Sequence, residues 1–218
     1  MIELLCDFGA DLTDGILDCA ISSGNKEIIK CLQQKGAKLD FFSLESAMRT
    51  KDLNLIKMFS QIIADASNDE KESCLSWAAT YGSFEILQWL ITSQPHGPGL
   101  VLKSDKNNWS VLHYAVYGNN PEVCQKILES KLVDINCKNV KGETPIELAV
   151  GCRRWRVFPC LLKHDATATG KMLNQASENG ELEPIQLLVT EYGININYQN
   201  DTGNTALDHT SYEVETGW

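Results

Sequence analysis

The sequence predicts an all-α protein built from stacked pairs of short helices, and two observations support this. A small residue recurs at one register position along the chain, at Ala20, Ala47, Ala78, Ala115, Ala149 and Ala176 and, in degenerate form, at Thr210. Two related stretches, Trp109–Ala115 and Thr144–Ala149, end on alanines that are 34 residues apart. Repetition at such a period indicates units that bury their apolar faces only by stacking on their neighbours.

The segment around Ala78 shows the expected unit. Residues 74–82 form a short helix with Leu75, Ala78 and Ala79 on one face, and residues 84–91 form a second, more hydrophobic helix. Small side chains in the first helix let the two helices lie close together. We expect Gly82 to end the first helix, because glycine adopts the left-handed conformation at little cost.

The spacing of the small residues varies along the chain. The successive intervals are 27, 31, 37, 34, 27 and 34 residues. The two shortest leave no room for a projecting turn, so we expect short connections at 37–43 and 166–170. The longest contains the Pro- and Gly-rich stretch Gln94–Gly99, which is typical of a loop. Pro159 falls about four residues into an expected second helix, which must therefore start late or kink.

Several of these stretches resemble the ankyrin repeat, a unit of about 33 residues with a β-turn, two helices and a Thr-Pro-Leu-His-x-Ala signature. The best matches are Asn139–Pro145, Asn200–Leu207 and Ser110–Ala115. The resemblance covers nearly the whole chain and implies an ankyrin-repeat solenoid of helix-turn-helix units with short β-turn fingers, some units shortened. We expect one array over 1–218 that is a fragment of a longer chain. Its parts are a half-repeat at 1–12, repeats at about 13–39, 40–66, 67–104, 105–136, 137–166 and 167–197, and a half-repeat at 198–218.

Composition limits the classes of partner. The chain has 29 acidic and 19 basic residues and a formal charge of −10, which argues against nucleic acid. No apolar run approaches the roughly 20 residues of a membrane span. The eight cysteines contain no C-x-x-C pair, so zinc and dithiol sites are not predicted. We expect core cysteines in a cytoplasmic monomer that needs no metal or cofactor.

Catalytic signatures are absent from the sequence, which has no phosphate-binding glycine loop, no zinc-protease motif and no nucleophile elbow. We therefore predict that the chain is not an enzyme. The resemblance places His113 at the signature histidine, where it is expected to stabilise a turn. A catalytic alternative would need His113 or His164.

The resemblance also implies a binding surface. In ankyrin arrays the concave groove is formed by the finger tips and the ends of the first helices. That surface would bring Tyr81, Trp109 and Tyr117 together as anchors, since aromatic residues bury a large area at small entropic cost. Its polar rim is expected to contain Lys106, Lys141 and Glu143. The alternative for Trp109 is that its ring folds back on its own finger and only packs.

A run of positive charge is the second candidate. The residues Arg153, Arg154, Trp155 and Arg156 form the densest basic patch of an acidic chain. Guanidinium groups suit carboxylates, phosphates and aromatic faces. We expect this run at a helix–helix turn on the edge opposite the fingers, where the alternative is a solvated surface.

The function predicted from the sequence is protein–protein interaction, as a recognition or scaffolding module that binds a partner segment on its concave face. Acidic residues after position 170 could attract a basic segment, although such a cluster is more often a solvated face. An alternative function is a non-catalytic spacer or regulatory domain of a larger multidomain enzyme, contacting its own chain. Asn136 resembles the finger asparagine that a cytosolic hydroxylase modifies in some ankyrin proteins, and its alternative role is to stabilise the turn.

Overall fold

The structure, a computed structural model, describes residues 14–93, 105–131 and 133–209 of the 218, and these contain helices and turns but no strand. The half-repeat 1–12, the loop at Gln94–Gly99 and Thr210 lie outside the described residues. The chain divides into two compact units, Met1–Lys103 and Ser104–Trp218.

The first unit consists of helix pairs in which first helices pack on first helices. Its described helices are α1 (Asp14–Ser22), α2 (Lys26–Gln34), α3 (Phe41–Arg49), α4 (Leu53–Lys57), α5 (Ser60–Asp65), α6 (Asn68–Thr80) and α7 (Phe84–Ser93). Helix α3 contacts both α1 and α6, and α4 contacts α7. Phe59, in the break between α4 and α5, is fully buried, so the interrupted helix still contributes to the core.

The second unit repeats this arrangement. Its described helices are α8 (Val111–Tyr117), α9 (Pro121–Ser130), α10 (Pro145–Gly151), α11 (Phe158–Lys163), α12 (Gly170–Glu178) and α13 (Leu182–Thr190), followed by a helical turn at 206–209. Helix α10 contacts α8 and α12, and α9 contacts α11. No helix in the described part of the chain is both long enough and apolar enough to span a bilayer.

The recurring small residue marks the contact between first helices. Ala20 is 5% exposed and the five alanines that follow it in the series are 0% exposed. A methyl side chain lets the backbones approach closely, and a larger one would push the pair apart. The positions that recur in the sequence are therefore the positions at which neighbouring first helices pack against each other.

The turn after the first helix uses one backbone conformation in most units. The residue four positions after the small alanine has positive φ at five places: Gly24, Lys51, Asn119, Arg153 and Gly180.

The prediction for Gly82 is wrong in its reason, because Gly82 is not among the residues of positive φ. Glycine is needed there for space, since a Cβ would lie 2.7 Å from the backbone oxygen of Ala78.

The two short connections occur as expected, at 35–40 between α2 and α3 and at 164–169 between α11 and α12. A third was not foreseen. Only Ala66 and Ser67 separate α5 from α6, because the 31-residue interval is filled by the 13-residue helix α6 rather than by a finger. Pro159 behaves as predicted. Helix α11 begins at Phe158, nine residues after Ala149, whereas α9 begins six residues after Ala115.

The cysteines are less uniformly buried than expected. Cys74 and Cys124 are buried, four others are half-buried and Cys19 is exposed. All seven described cysteines are free thiols.

Candidate functional site

Three β-turn fingers of one geometry lie in the second unit: finger A (105–110), finger B (139–144) and finger C (200–205). In each, the backbone N–H of the first residue donates to the carbonyl four residues later, at 2.9–3.1 Å. The side-chain Oδ1 of that first residue accepts from the N–H groups two and four residues later. Asp or Asn is needed at this place because its short side chain satisfies two turn amides at once. These first residues are Asp105, Asn139 and Asn200.

Fingers A and B are joined to each other. The backbone N–H of Val140 donates to the carbonyl of Asn107 at 3.0 Å. The side-chain amide of Asn108 also donates to the carbonyl of Lys138. Finger C is separated from finger B by the shortened unit that begins at α12. Fingers A and B therefore form one continuous surface, called here the paired fingers.

His113 holds finger B against α8. Its side chain is 0% exposed. The N–H of Ser110 donates to Nδ1 at 3.2 Å, which leaves the proton on Nε2 to donate to the Glu143 carbonyl, also at 3.2 Å. Burial lowers the pKa of His113 below its ordinary value, and the smaller effects of Asp105 and Glu143 oppose this. Both ring nitrogens therefore have structural partners, as predicted for a turn-stabilising residue.

An aromatic cluster lies at the base of finger A. The Trp109 ring centroid is 5.0 Å from that of Tyr114, 5.7 Å from that of Tyr117 and 5.9 Å from that of His113. Trp109 is half-buried, and Tyr117 remains 43% exposed. Trp109 thus packs against side chains of α8, while the cluster still presents aromatic surface to solvent, and the role of Trp109 as an anchor stays a prediction.

Arg154 extends this cluster. Its guanidinium carbon lies 5.1 Å from the Tyr117 ring centroid, within the range of a cation–π contact. The arginine run lies in the turn between α10 and α11, as predicted, because α11 begins only at Phe158. The sequence did not predict that Arg154 reaches the aromatic cluster at the base of finger A.

The other residues of the arginine run differ in their exposure and contacts. Arg153 is exposed, has φ 54° and donates from Nε to Asn179 Oδ1 at 3.0 Å. The half-buried Trp155 packs edge-on against Phe158, with centroids 5.8 Å apart. Arg156 is exposed. The Nε atom of Arg154 and the indole Nε1 of Trp155 are buried, and neither has a hydrogen-bond partner among the residues that the structure describes.

The expected rim residues occupy the paired fingers. Lys106 and Lys141 are exposed at the turns of fingers A and B. Glu143 is half-buried, and its carboxylate accepts from the Asn139 side chain at 3.0 Å. Glu143 is therefore partly committed to holding the shape of its own finger.

Tyr81 lies in the first unit, at the end of α6, where the Arg49 guanidinium is 3.8 Å from its ring centroid. Because Trp109 and Tyr117 belong to the second unit, the alignment of the three anchors stays a prediction. Sequence reasoning did not foresee the Arg49–Tyr81 pair. The sequence feature that could have indicated this contact is that both residues follow the small alanine closely, in successive repeats.

Asn136 connects neighbouring repeats. Its Oδ1 accepts from the backbone N–H of Thr167 at 3.1 Å. This contact fits the turn-stabilising role, and modification of Asn136 stays a prediction. In the described ranges, no three His, Cys, Asp or Glu side chains are grouped so that they could hold a metal ion.

A comparison with protein families gives a match over the centre of the chain. The family model described as "Ankyrin repeats (3 copies)" matches residues 44–139. This range includes α6, α7, α8 and α9, together with finger A. The match confirms the ankyrin recognition made from the sequence and the all-α ankyrin-repeat fold class.

Curated relatives agree with this match. I-Kappa-B like protein C2 of Microplitis demolitor bracovirus (isolate Webb) is 23% identical over 155 residues, which make up 71% of this chain and 81% of that protein. Ankyrin repeat protein FPV115 of Fowlpox virus (strain NVSL) is 35% identical over 82 residues, 34% of this chain and 14% of that protein. Regulatory protein NPR4 of Arabidopsis thaliana is 23% identical over 166 residues, 76% of this chain and 26% of that protein. The chain thus spans about a quarter or less of the last two.

Proposed function

Because the chain is an ankyrin-repeat protein, we propose that it is a recognition or scaffolding module that binds a segment of another protein on its paired fingers and on the ends of its first helices. Ankyrin repeats generally mediate protein–protein interaction. The observation that carries the proposal is the cluster of Trp109, Tyr117 and Arg154. It combines two aromatic rings and a guanidinium group on a rigid support, and these are the side chains enriched at interface hot spots.

The remaining candidate residues have supporting places on this surface. Lys106, Lys141 and Glu143 provide the polar rim on the paired fingers. Arg153, Trp155 and Arg156 continue the surface beyond Arg154, and Tyr81 in the first unit is proposed as a separate partner contact. Because hydrogen bonds within each finger and between the paired fingers fix the surface in advance, little conformational entropy is lost on binding.

The role is proposed to be non-catalytic, cytoplasmic and monomeric. Both ring nitrogens of His113 are engaged in structural hydrogen bonds, which supports a non-catalytic role for this histidine. The seven described cysteines are free thiols, which supports a reducing compartment.

Affinity capture from cytosolic lysate tests the proposal. The bait proteins are the unaltered chain, a Tyr117→Ala variant and a Trp109→Ala/Tyr117→Ala variant. A Leu182→Ala variant serves as the control, because Leu182 is a 66% exposed apolar residue on a second helix of the same unit. Circular dichroism first verifies that all four are folded. A partner that binds the unaltered and control proteins and is lost from the two tyrosine variants supports the surface, whereas equal capture by all four refutes it.

A second candidate function is a regulatory or spacer segment that contacts other parts of its own, longer chain. The observation that favours it is that two relatives carry the matched region as 14% and 26% of their length. Cross-linking of the native protein in source cells separates the candidates. Cross-links from Lys106 and Lys141 to peptides of other proteins support the recognition module, and cross-links to its own chain support the regulatory segment.

A further inference from the structure

We propose that the paired fingers and the adjoining turn at 153–156 select an acidic segment of a partner protein, although the whole chain is strongly acidic. The inference rests on the proposed function, since it names the chemistry of the partner that this surface would bind. Four observations on charge carry it: the distribution of charge along the chain, the engagement of the acidic groups, the state of the basic groups and the geometry of Arg154.

Charge is unevenly distributed along the sequence. Residues 105–169 contain nine Lys or Arg against seven Asp or Glu, whereas the whole chain contains 19 against 29. Residues 170–218 contain one Lys and eight Asp or Glu. The repeats that carry the paired fingers are thus a basic region inside an acidic chain, and a partner senses this local field more than the net charge.

The acidic groups close to the paired fingers are engaged internally. Asp105 accepts from the N–H groups of Asn107 and Trp109, at 2.8 and 2.7 Å. Glu143 accepts from Asn139, and Glu147 accepts from the N–H and hydroxyl of Thr144 in a capping box. These carboxylates hold the backbone in shape and form no ion pair with a basic side chain in the part of the chain that the structure describes.

The basic side chains of this surface, in contrast, form no ion pair with any carboxylate that the structure describes. Elsewhere in the chain, Lys26, Arg49 and Lys126 do form such ion pairs. Apart from the half-buried Arg154, all are exposed. This basic set consists of Lys106, Lys138, Lys141, Arg153, Arg154 and Arg156. Positive charge that no described carboxylate neutralises is available to a partner of opposite sign.

Arg154 is the residue of this surface that is best oriented to bind a carboxylate. The Tyr117 ring orients the guanidinium group, and enclosure of Nε leaves the two terminal nitrogens as the donors that can reach a ligand. Paired terminal nitrogens match the two oxygens of a carboxylate, which is the geometry of a bidentate contact. Tyr117 and Trp109 add apolar contact beside that carboxylate. An Asp or Glu flanked by an apolar residue fits this combination.

The same charges give the bound segment a direction. The region after position 170 would repel an acidic segment, because its acids outnumber its one lysine eight to one. We expect the acidic part of the partner to lie over fingers A and B and to end before α12. A basic segment would instead lie over the acidic residues after position 170.

Selection from a random twelve-residue peptide library on the full 218-residue chain tests this inference. The selected consensus peptide is then labelled with fluorescein, and its affinity is measured by anisotropy. We expect an acidic consensus that contains an apolar residue. We expect its affinity to fall by about tenfold in Arg154→Gln and about fivefold in Lys106→Gln/Lys141→Gln, and to fall as NaCl rises from about 50 to about 300 mM.

The matched control is Lys126→Gln/Lys163→Gln, which removes the same charge from exposed positions on the second helices α9 and α11. Its affinity should remain within about twofold of the unaltered chain, since those charges lie away from the fingers. A neutral or basic consensus overturns the inference while leaving the proposed function intact. An acidic consensus whose affinity is unchanged in Arg154→Gln and in the double lysine variant overturns it as well.

Two further outcomes are decisive. If a folded chain enriches no peptide of any composition, the result counts against the proposed function itself. If a single-stranded oligonucleotide of about 20 nucleotides binds with the same dependence on Arg154, the surface recognises a phosphate backbone, and the acidic-segment inference fails.

Discussion

Replacing His113 with alanine is expected to lower the free energy of unfolding by about 3 kcal/mol. The side chain is fully buried, and its two ring nitrogens bond to the Ser110 N–H and the Glu143 carbonyl. Leaving two such groups without partners costs about 1 kcal/mol each at the low end, and the vacated ring volume adds about 1 kcal/mol more. The loss should be large because His113 joins a helix to the finger of the next repeat.

The same residue should make stability depend on pH. Burial lowers the pKa of His113 in the folded state below its ordinary value of about 6.5. Protonation would also abolish the bond that Nδ1 accepts from Ser110. The stabilising contribution of neutral His113 is therefore complete above pH about 6.5 and decreases as the pH falls below that value. Asp105 and Glu143 favour the protonated form and reduce the effect without reversing it.

Urea unfolding followed by circular dichroism at pH 7.5 and at lower pH measures both effects. His113→Gln retains a donor and an acceptor but does not titrate, so it should lose less stability than His113→Ala and should show a weaker dependence on pH than the unaltered chain. His164→Gln is the control, because His164 lies at the end of α11 and is only half-buried. Equal pH dependence in the unaltered chain and in His113→Gln would refute the reasoning, as would a stability loss under about 0.5 kcal/mol in His113→Ala.

Three further changes test backbone features by urea unfolding. Gly82→Ala should cost about 1–3 kcal/mol, because its Cβ would lie 2.7 Å from the Ala78 oxygen and the backbone must shift; an unchanged midpoint would contradict this. Gly170→Ala should cost about 1–2 kcal/mol, because a Cβ would overlap the Tyr198 ring at Cγ, so that this side chain must move away; an unchanged midpoint would contradict this. Lys51→Gly should instead stabilise by about 0.5–1 kcal/mol, because Lys51 has φ 59° and glycine adopts that conformation without strain; destabilisation would show that the lysine side chain contributes more than its backbone costs.

The helix pairs could be predicted because they depend on local rules. The buried alanines are the residues that the repeat pattern selected, and Pro159 shifts the start of α11 as its missing N–H requires. The third connection without a finger was missed because a 31-residue interval can be filled either by a turn or by a longer helix. The capping box of Ser67 and Glu70, which begins α6, was the signal that could have distinguished them.

The candidate site was predictable as a set of positions but not as a set of contacts. The resemblance placed Trp109 and Tyr117 on one surface, and the structure brings their rings within 5.7 Å. The approach of Arg154 to Tyr117 could not be read from either segment alone. It depends on how the turn after α10 packs beside the end of α8, which is a tertiary relation between residues 37 positions apart.

The hydrogen bond from Val140 to Asn107 has a consequence for how the second unit comes apart. Finger A cannot peel away without breaking a bond that also secures finger B, so the two should open in a single step and their amides should exchange with solvent at similar rates. Finger C adjoins a unit without a finger and is bonded to a helix instead, since the Asn174 side chain in α12 donates to the Asn204 carbonyl at 3.2 Å. A pulling force applied at finger A would therefore pass to a neighbouring finger, whereas one applied at finger C would pass to the first helix of the preceding repeat.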